Sequence, residues 1–304
     1  MNTDFIHHLD DYILEHRYRL INSILVYQKG NLVLERYYNK FTSQSRNPIK
    51  SIWKSILSLT LGICLDKGGI SSIDEPICNY LPQFNEGIHP FHKLITIRHL
   101  LTMSSGIYWN GGIHYHCPML EQMRRSKDWT TYISNVQMMS LPGAVFQYKE
   151  WDCILLSAVI SKAMGKTAWE ICEEYLYKPL SITSGIWPLT KCGINYTVMQ
   201  GEEQSDLSAQ DLGKIGLLML NKGKWNGKQI VSEEYINQSS LPSNSNKGYG
   251  LFWWIKENHF SGQGFGGQEI RIYSQKESVA VIQATPSSSG KFYFDILDKI
   301  MLEA

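Results

Sequence analysis

The sequence predicts an α+β fold in which strands from both ends of the chain form one antiparallel sheet, flanked by helices and interrupted by a helical insertion. Two β-rich runs, residues 20–28 and 32–38, are separated by Lys29-Gly30-Asn31. A short glycine-containing connection between such runs is typical of a β-hairpin. After a long stretch of helical periodicity, β-rich segments return at 249–256, 269–274 and 279–284. We therefore expect the N-terminal hairpin to pair with the C-terminal strands.

The helices are predicted from apolar spacing and from the residues that start and stop them. Residues 52–65 are so rich in apolar side chains that this helix should be buried on most sides, and Asp66-Lys67-Gly68-Gly69 should end it. Ser208, followed by Asp211, should cap another helix over 208–222. Further helices are expected at 5–17, 96–103, 152–164, 169–177 and 291–302. This pattern predicts a sheet domain made of 1–72 and 246–304 and a helical domain made of 73–245.

Composition and charge exclude several classes of partner. Hydrophobic residues make up 43% of the 304-residue chain, enough for a large core, and 29 Lys and Arg nearly balance 28 Asp and Glu. No basic block suggests binding to nucleic acid. No uncharged stretch is long enough for a bilayer, and the N-terminus lacks the pattern of a signal peptide. We expect a cytoplasmic protein with no membrane partner, whose six scattered cysteines are free thiols.

Ser51 and Lys54 stand one helical turn apart at the start of the long apolar helix. The first turn of a helix offers unpaired N–H groups and the positive end of the helix dipole, both of which favour a developing alkoxide. Burial disfavours the charged form of a lysine, so Lys54 could become a base for the serine. The pair is therefore a candidate nucleophile and base. A second Ser-x-x-Lys match, Ser288 and Lys291, lies in a Ser/Gly tract where a loop and helix cap are expected.

Three later segments occur in a fixed order after this pair. They are the residues Arg98-His-Leu-Leu-Thr-Met-Ser-Ser-Gly106, the pattern Pro142-Gly143-x-x-Phe146-x-Tyr148, and Gly264-Phe265-Gly266-Gly267-Gln268. With the hairpin and Ser-x-x-Lys, this order resembles the serine β-lactamase-related hydrolases. That group includes class C β-lactamases, penicillin-binding proteins, β-lactamase-like esterases and 6-aminohexanoate-dimer hydrolases. The resemblance extends from about residue 20 to 284 and implies a β-lactamase/transpeptidase-like fold.

The resemblance also implies roles for individual residues. Ser51 would be the acylated nucleophile and Lys54 its proton partner. Tyr148 would correspond to the tyrosine of the family's Tyr-x-Asn motif and move protons between nucleophile and leaving group. The family's third motif, a Lys or His followed by x-Gly on a strand, would map onto Gly262-Gln263-Gly264. The backbone N–H of Phe265 would then join that of Ser51 in an oxyanion hole.

Two positions depart from the family pattern. Glu150 replaces the usual Asn of the second motif, and Gly262 replaces the cation that β-lactamases carry in the third. Both changes argue against efficient turnover of penicillins. They predict an ester, amide or peptide substrate without a carboxylate at that place, or one with a cationic group facing Glu150. The expected substrate-binding residues are Tyr108, Trp109, Glu150, Gly262, Gln263 and Gly264.

Some motifs leave alternatives open. Tyr-x-Asn occurs verbatim at Tyr37, Tyr108 and Tyr235, and of these Tyr108 is an alternative for the catalytic phenol. His114, His116 and Cys117 could suggest zinc, but they are too close in sequence to complete a tetrahedral site alone. We expect no metal and no cofactor.

The sequence thus predicts a serine hydrolase that cleaves a small-molecule ester, amide or peptide through an acyl-Ser51 intermediate. Two alternatives remain. One is a ligand-binding or sensor relative that keeps the fold with little or no turnover. The other is a penicillin-binding protein that acts on cell-wall peptides.

Overall fold

The computed structural model of the chain describes residues 1–86, 88–111, 117–197, 204–287 and 291–302. The strands of the described part are β1 (Ile21–Gln28), β2 (Asn31–Tyr37), β3 (Arg46–Pro48), β4 (Asp206–Ser208), β5 (Lys224–Trp225), β6 (Lys228–Gln229), β7 (Trp254–Ile255), β8 (Phe260–Gly264), β9 (Gln268–Tyr273) and β10 (Ser278–Ala284). The N-terminal helices are α1 (Thr3–His7), α2 (Leu9–Glu15) and α3 (Ile52–Asp66). The later ones are α4 (Ile97–Leu101), α5 (Pro118–Arg125), α6 (Trp129–Ser134), α7 (Glu150–Met164), α8 (Ala168–Cys172), α9 (Ala209–Leu220), α10 (Glu233–Ser239) and α11 (Phe294–Met301).

The main sheet joins both ends of the chain. Its six strands follow the order β2-β1-β10-β9-β8-β7, and every neighbouring pair is antiparallel. The N-terminal hairpin therefore pairs with the last strand, with Leu25 opposite Val281. This arrangement confirms the predicted α+β fold. Two small two-stranded sheets, β3-β4 and β5-β6, lie outside it.

Helices cover both faces of the sheet, because side chains alternate between the faces along each strand. Leu25 packs in the larger apolar core together with α3, α7 and α9. Its neighbours Ile24 and Val26 point the other way, into a second core formed with α2 and α11. The central strands are accordingly buried along nearly their whole length. The larger core is the one that contains the candidate nucleophile helix.

Helix α3 is buried from Ile52 to Cys64, as its apolar composition predicts. Helix α9 begins at the predicted cap, where the Ser208 hydroxyl accepts a hydrogen bond from the Asp211 N–H. It packs closely on the sheet, and a methyl group at Gly213 would lie 2.5 Å from the Tyr27 ring. Helix α9 thus contacts the sheet although it belongs to the segment 73–245. The division into a sheet domain and a helical domain stays a prediction.

Two predicted C-terminal segments differ from the structure. Only β7 and one bridge, Tyr249 to Trp254, form in the predicted strand 249–256, because Phe252 adopts a left-handed φ of 63° and its N–H donates to Leu101 O. The local sequence pattern did not predict strand β8, because its glycines Gly262 and Gly264 lower the β propensity of the segment, whereas the family resemblance placed this motif on a strand. Both differences concern the edge of the sheet nearest to Ser51.

Two predicted helices are interrupted. The helix expected at 5–17 is divided at His8 into α1 and α2. The helix expected at 169–177 continues from α8 into a π-helical turn, Glu173–Tyr177. Short 3₁₀ segments lie at Ile77–Asn79, Pro82–Phe84, His92–Leu94 and Ser274–Lys276. Among the described helices, none combines the length and apolar character needed to cross a bilayer. All six cysteines are free thiols, as predicted.

Candidate active site

Ser51 occupies the turn between β3 and α3. It is the N-cap of α3, and its hydroxyl makes no capping hydrogen bond, so the oxygen is free for other contacts. Lys50, with a φ of 51°, produces the sharp bend before it. The N–H groups of the next three residues already donate to backbone carbonyls, at 3.1–3.2 Å. Within the described part of the chain, the Ser51 N–H has no such backbone acceptor.

Lys54 lies beside Ser51 in a nearly closed environment. Its Nζ is 3.2 Å from Ser51 Oγ and 3.1 Å from Glu150 Oε1, and its side chain is only 1% exposed. Burial is the strongest single influence and lowers the pKa of Lys54, but the charge and hydrogen bond of Glu150, together with Tyr148 and Cys153, raise it, and the net pKa is above the usual value. Lys54 is therefore an ammonium group in this state. Burial alone suggested a neutral amine, and the carboxylate reverses that expectation.

Glu150 is held by side chains of the protein itself. Its Oε1 accepts a hydrogen bond from Lys54, and its Oε2 accepts one from the Tyr196 hydroxyl at 2.8 Å. The Cys153 thiol lies 3.5 Å from the same Oε2. The carboxylate is buried and fully engaged. Lys54 thus occupies one oxygen of the carboxylate and Tyr196 the other, and a role of Glu150 in binding a cationic substrate group stays a prediction.

Tyr148 completes the group around Ser51. Lys54 Nζ is 5.1 Å from the centre of its ring. Burial raises the pKa of Tyr148 most strongly, while the Lys54 charge and a hydrogen bond with Ser51 lower it, and the net pKa is raised. The phenol is therefore neutral at rest. The structure brings Ser51, Lys54 and Tyr148 together, in line with their order in the sequence.

An aromatic wall stands next to Tyr148. The ring of Trp254 stacks on Tyr148 with centroids 5.7 Å apart, and Tyr249 meets it edge-on at 6.3 Å. Phe146 contacts both Tyr249 and Trp254. Sequence reasoning did not identify Tyr196, Tyr249 or Trp254 as site residues. The only sequence signal was the density of aromatic residues around 249–254.

Strand β8 lies directly against the turn that holds Ser51. A methyl group at Gly264 would be 2.3 Å from Ile49 O, and one at Gly262 would be 3.0 Å from Ser55 Oγ. Glycine is needed at Gly264 because the two backbones touch there. Phe265, the next residue, begins the turn between β8 and β9, and this close approach brings the turn to the N-terminus of α3.

Gln263 has the opposite orientation. Its amide donates to Ser261 Oγ at 3.0 Å and to Glu269 Oε1 at 3.1 Å. These side chains lie on the sheet face opposite to Gly262 and Gly264, because neighbours along a strand alternate. The Gln263 amide is thus occupied by contacts within the protein, and a role of Gln263 in substrate binding stays a prediction. Its partner Glu269 belongs to a buried ion pair with Arg271.

Tyr108 and Trp109 belong to a loop tied to the second motif. Trp151 donates to Tyr108 O at 3.0 Å and meets the Trp109 ring edge-on at 4.8 Å. Gln147, which precedes Tyr148, donates to Trp109 O at 3.1 Å. The Tyr108 side chain is 43% exposed. These contacts place the loop beside Tyr148, while the contacts to Lys54 and Ser51 favour Tyr148 over Tyr108 as the catalytic phenol.

Buried charges hold the same loop on α7. Lys149 donates to Ile107 O at 3.0 Å, and Asp152 accepts a hydrogen bond from the Ser105 hydroxyl at 2.6 Å. Burial raises the pKa of Asp152 to about 6, although Lys149 and Ser105 act in the opposite direction. Lys149 and Asp152, which are close to Tyr148 and Glu150 in the chain, are thus held by polar contacts in the interior.

The remaining motifs have other surroundings. The Tyr37 hydroxyl donates to Glu35, and the buried Tyr235 hydroxyl lies 2.8 Å from Ser58 Oγ, so both tyrosines have structural contacts. His114, His116 and Ser288 lie outside the described residues. Cys117 donates to Asn110 O at 2.7 Å. Lys291 lies over the ring of Tyr18, 4.1 Å from its centre.

Comparison with known proteins gives a consistent result. The sequence profile of the Beta-lactamase family matches residues 19–300. The 6-aminohexanoate-dimer hydrolase of Paenarthrobacter ureafaciens is 21% identical over 307 residues, which covers 90% of this chain and 76% of that protein. Structural similarity extends to EstCE1, a hydrolase with promiscuous acyltransferase activity, with a TM-score of 0.76 at 12% identity over 98% of this chain and 97% of the other. The octameric penicillin-binding protein homologue from Pyrococcus abyssi gives 0.72 at 20% identity, over 95% and 74%. These similarities confirm the β-lactamase/transpeptidase-like fold.

Proposed function

The chain belongs to the Beta-lactamase family. We propose that it is a serine hydrolase acting through an acyl-Ser51 intermediate, which its similarity to hydrolases and to a penicillin-binding protein homologue supports. The observation that supports this most directly is the contact of 3.2 Å between Ser51 Oγ and Lys54 Nζ at the start of α3. A hydroxyl that touches a lysine in a buried site matches the geometry required of an activated nucleophile.

In the proposed reaction, Ser51 Oγ attacks the carbonyl carbon of the substrate and forms a tetrahedral intermediate. The amine form of Lys54 accepts the hydroxyl proton, and the neutral Tyr148 phenol donates a proton to the leaving group and regains one from Lys54. Water then attacks the acyl-enzyme in a second step with the same groups. The contacts of Lys54 with both Ser51 and the Tyr148 ring support these roles.

The oxyanion of the intermediate needs two N–H donors. The Ser51 N–H has no backbone acceptor within the described chain, which leaves it available. The close approach of Gly264 to Ile49 supports Phe265 as the source of the second N–H, because Phe265 directly follows Gly264. Loss of one such donor typically lowers kcat by about 10²–10³-fold.

The surroundings favour an uncharged substrate with an apolar group near the scissile bond. Glu150 is occupied by Lys54, and Gly262 supplies no cation for a carboxylate. The wall of Phe146, Tyr249 and Trp254 offers flat apolar surface next to Tyr148. We therefore propose neutral esters or amides as substrates, ahead of β-lactams or free peptides.

Covalent labelling tests the nucleophile. The protein is incubated with a fluorophosphonate, and the adduct is located by mass spectrometry of peptides, with Ser51→Ala as control. We expect one adduct on Ser51 and none in the control. Absence of an adduct on Ser51 with a fluorophosphonate, an activated ester and a penicillin would refute the proposed function. A Ser51 adduct with penicillin that persists for hours would favour the penicillin-binding alternative.

Turnover of p-nitrophenyl esters of increasing acyl length, D-amino-acid amides and nitrocefin then tests the substrate class. We expect neutral apolar esters to give the highest kcat/KM and nitrocefin the lowest. Tyr148→Phe is expected to lower kcat by about 10²–10⁴-fold, because it removes a proton donor at the reacting centre. Tyr108→Phe is the matched control and should keep kcat within a few-fold. The reverse order would assign the phenol to Tyr108.

A further inference from the structure

In the proposed hydrolase, Lys54 links the nucleophile Ser51 to the carboxylate of Glu150. Lys54 touches both the nucleophile and the carboxylate, with Nζ 3.2 Å from Ser51 Oγ and 3.1 Å from Glu150 Oε1. Lys54 and Glu150 lie 96 residues apart in sequence, and both side chains are shielded from water. Glu150 is the carboxylate that forms an ion pair with Lys54 within the described chain. The three groups therefore form a continuous line, from hydroxyl to ammonium to carboxylate.

An ammonium group cannot accept the serine proton. Lys54 is charged in this state, and Tyr148 is a neutral phenol, so neither is a base at rest. A lysine that loses its proton to bulk water would leave Glu150 as an uncompensated buried anion, which is costly. Transfer within the pair avoids that cost, because an ammonium and a carboxylate become an amine and a carboxylic acid with no change in net charge.

We propose that Glu150 is a positioning residue that acts through Lys54, accepting the lysine proton so that Lys54 can serve as the base for Ser51. This inference rests on the proposed serine hydrolase and concerns the position where the family pattern has Asn. An Asn amide could hold Lys54 by a hydrogen bond, but it could not accept the proton.

A proton moves from Lys54 Nζ to Glu150 Oε1. Ser51 Oγ forms its bond to the carbonyl carbon, its proton moves to the Nζ amine, and the carbonyl π electrons become the oxyanion. When the oxyanion collapses, the bond to the leaving group breaks, and the leaving group receives a proton from Lys54, directly or through the Tyr148 hydroxyl. Glu150 then returns its proton to the amine, and the original ion pair is restored.

Two further side chains contact the Glu150 carboxylate. Tyr196 donates to Oε2 at 2.8 Å and stabilises the charged form. The thiol of Cys153 lies against Oε2, and burial raises its pKa, so it stays neutral. The other titratable groups that act electrostatically on this network are Tyr148, Tyr249, Asp152 and Arg124. Lys149 faces Asp152 and Ile107 instead.

The test is the pH dependence of the second-order rate constant for phosphonylation of Ser51 by a fluorophosphonate, in which the Ser51 Oγ–P bond forms and the P–F bond breaks, between pH 5 and 10. The variants are Glu150→Gln, Tyr196→Phe and Glu174→Gln. The last removes the surface ion pair with Lys166 and serves as the matched control. Thermal melting of each variant establishes that it is folded.

In Glu150→Gln, Lys54 must lose its proton to solvent. We therefore expect its rate to fall by about 10²-fold at the acid end of the range, where Lys54 stays protonated, and to approach that of the wild type as pH rises. The acid limb then reports the ionisation of Lys54 itself, whose pKa burial lowers once the carboxylate is gone. Tyr196→Phe keeps the ion pair but removes one hydrogen bond to the carboxylate, so its acid limb should move up by about one pH unit. The control should reproduce the wild-type profile.

Two results would overturn the inference while leaving the hydrolase intact. One is a wild-type profile in Glu150→Gln. The other is a rate lowered by the same factor at every pH in Glu150→Gln, with no movement of the limb in Tyr196→Phe, which would assign Glu150 a structural role. If wild-type Ser51 forms no adduct with the fluorophosphonate, the activated ester or the penicillin at any pH, the proposed function fails and this inference fails with it.

Discussion

Replacing Gly264 with alanine places a methyl group between β8 and the turn that precedes Ser51. The new Cβ would lie 2.3 Å from Ile49 O and 3.1 Å from Lys50 Cβ. A carbon atom and a carbonyl oxygen normally approach no closer than about 3.3 Å. Because Ile49 O is a backbone atom, the clash cannot be relieved by a side-chain rotation, and the two segments must separate by about 1 Å.

That separation acts on the proposed oxyanion hole. Phe265 follows Gly264 and Ser51 follows Lys50, so the displacement moves the two proposed N–H donors apart. A misplacement of about 1 Å at a reacting centre can cost about 10²-fold in rate. Overpacking of this kind typically costs about 1–3 kcal/mol of unfolding free energy. For a chain of this size, that corresponds to a fall in Tm of about 2–6 °C.

The assay compares kcat for a p-nitrophenyl ester with Tm from a thermal melt. The matched control is Gly262→Ala on the same strand, where the added methyl group would lie 3.0 Å from the Ser55 hydroxyl, a side-chain atom that can move. We expect its kcat to fall by less than about tenfold. Gly264→Ala with wild-type kcat and Tm would refute the claim that β8 positions an oxyanion donor by backbone contact.

Three further predictions concern buried or partly buried carboxylates, measured by urea unfolding. Glu269→Ala should lower the unfolding free energy by about 1–3 kcal/mol, because it removes one of the two ion-pair partners of the buried Arg271, which keeps Asp298, while labelling of Ser51 should persist. Folding raises the pKa of Asp152 from 3.8 to about 6. The unfolding free energy should therefore fall by about 3 kcal/mol as pH rises from about 4 to 6. Asp152→Asn should abolish this dependence of the unfolding free energy on pH. Hydrogen bonds from Ser71 and its neighbours lower the pKa of Glu75 from 4.5 to about 2. Its contribution should be complete above pH 4.5 and lost as pH falls toward 2, so Glu75→Gln should be less stable than wild type at pH 7 and converge with it near pH 2. A slope retained in Asp152→Asn, an unchanged stability in Glu269→Ala or a constant offset in Glu75→Gln would contradict the respective assignment.

Much of the scaffold follows from local sequence signals. The hairpin β1-β2 is marked by Lys29-Gly30-Asn31, and α3 by a continuous apolar run that ends at Asp66. The Ser208 cap is a short-range hydrogen bond. These elements are predictable because the residues that determine them are neighbours in the chain.

Strand β8 is an element of the fold that local sequence propensity did not predict. Its glycines Gly262 and Gly264 are poor strand formers, and their presence is explained only by the close contact with Ser55 and Ile49. The same holds for Trp254, whose stacking on Tyr148 joins residues more than 100 positions apart. Local propensity contains no information about such contacts, because the free energy that favours them comes from tertiary packing.

The sequence by itself determined the α+β fold, the family resemblance and the pairing of Ser51 with Lys54, because a spacing of three residues on a helix brings two side chains to the same face. Tertiary structure alone decided the charge state of Lys54. Burial would favour a neutral amine, while a carboxylate 3.1 Å away keeps the ammonium form. The charge depends on the distance between Lys54 and Glu150, and only the folding of α7 against α3 determines that distance.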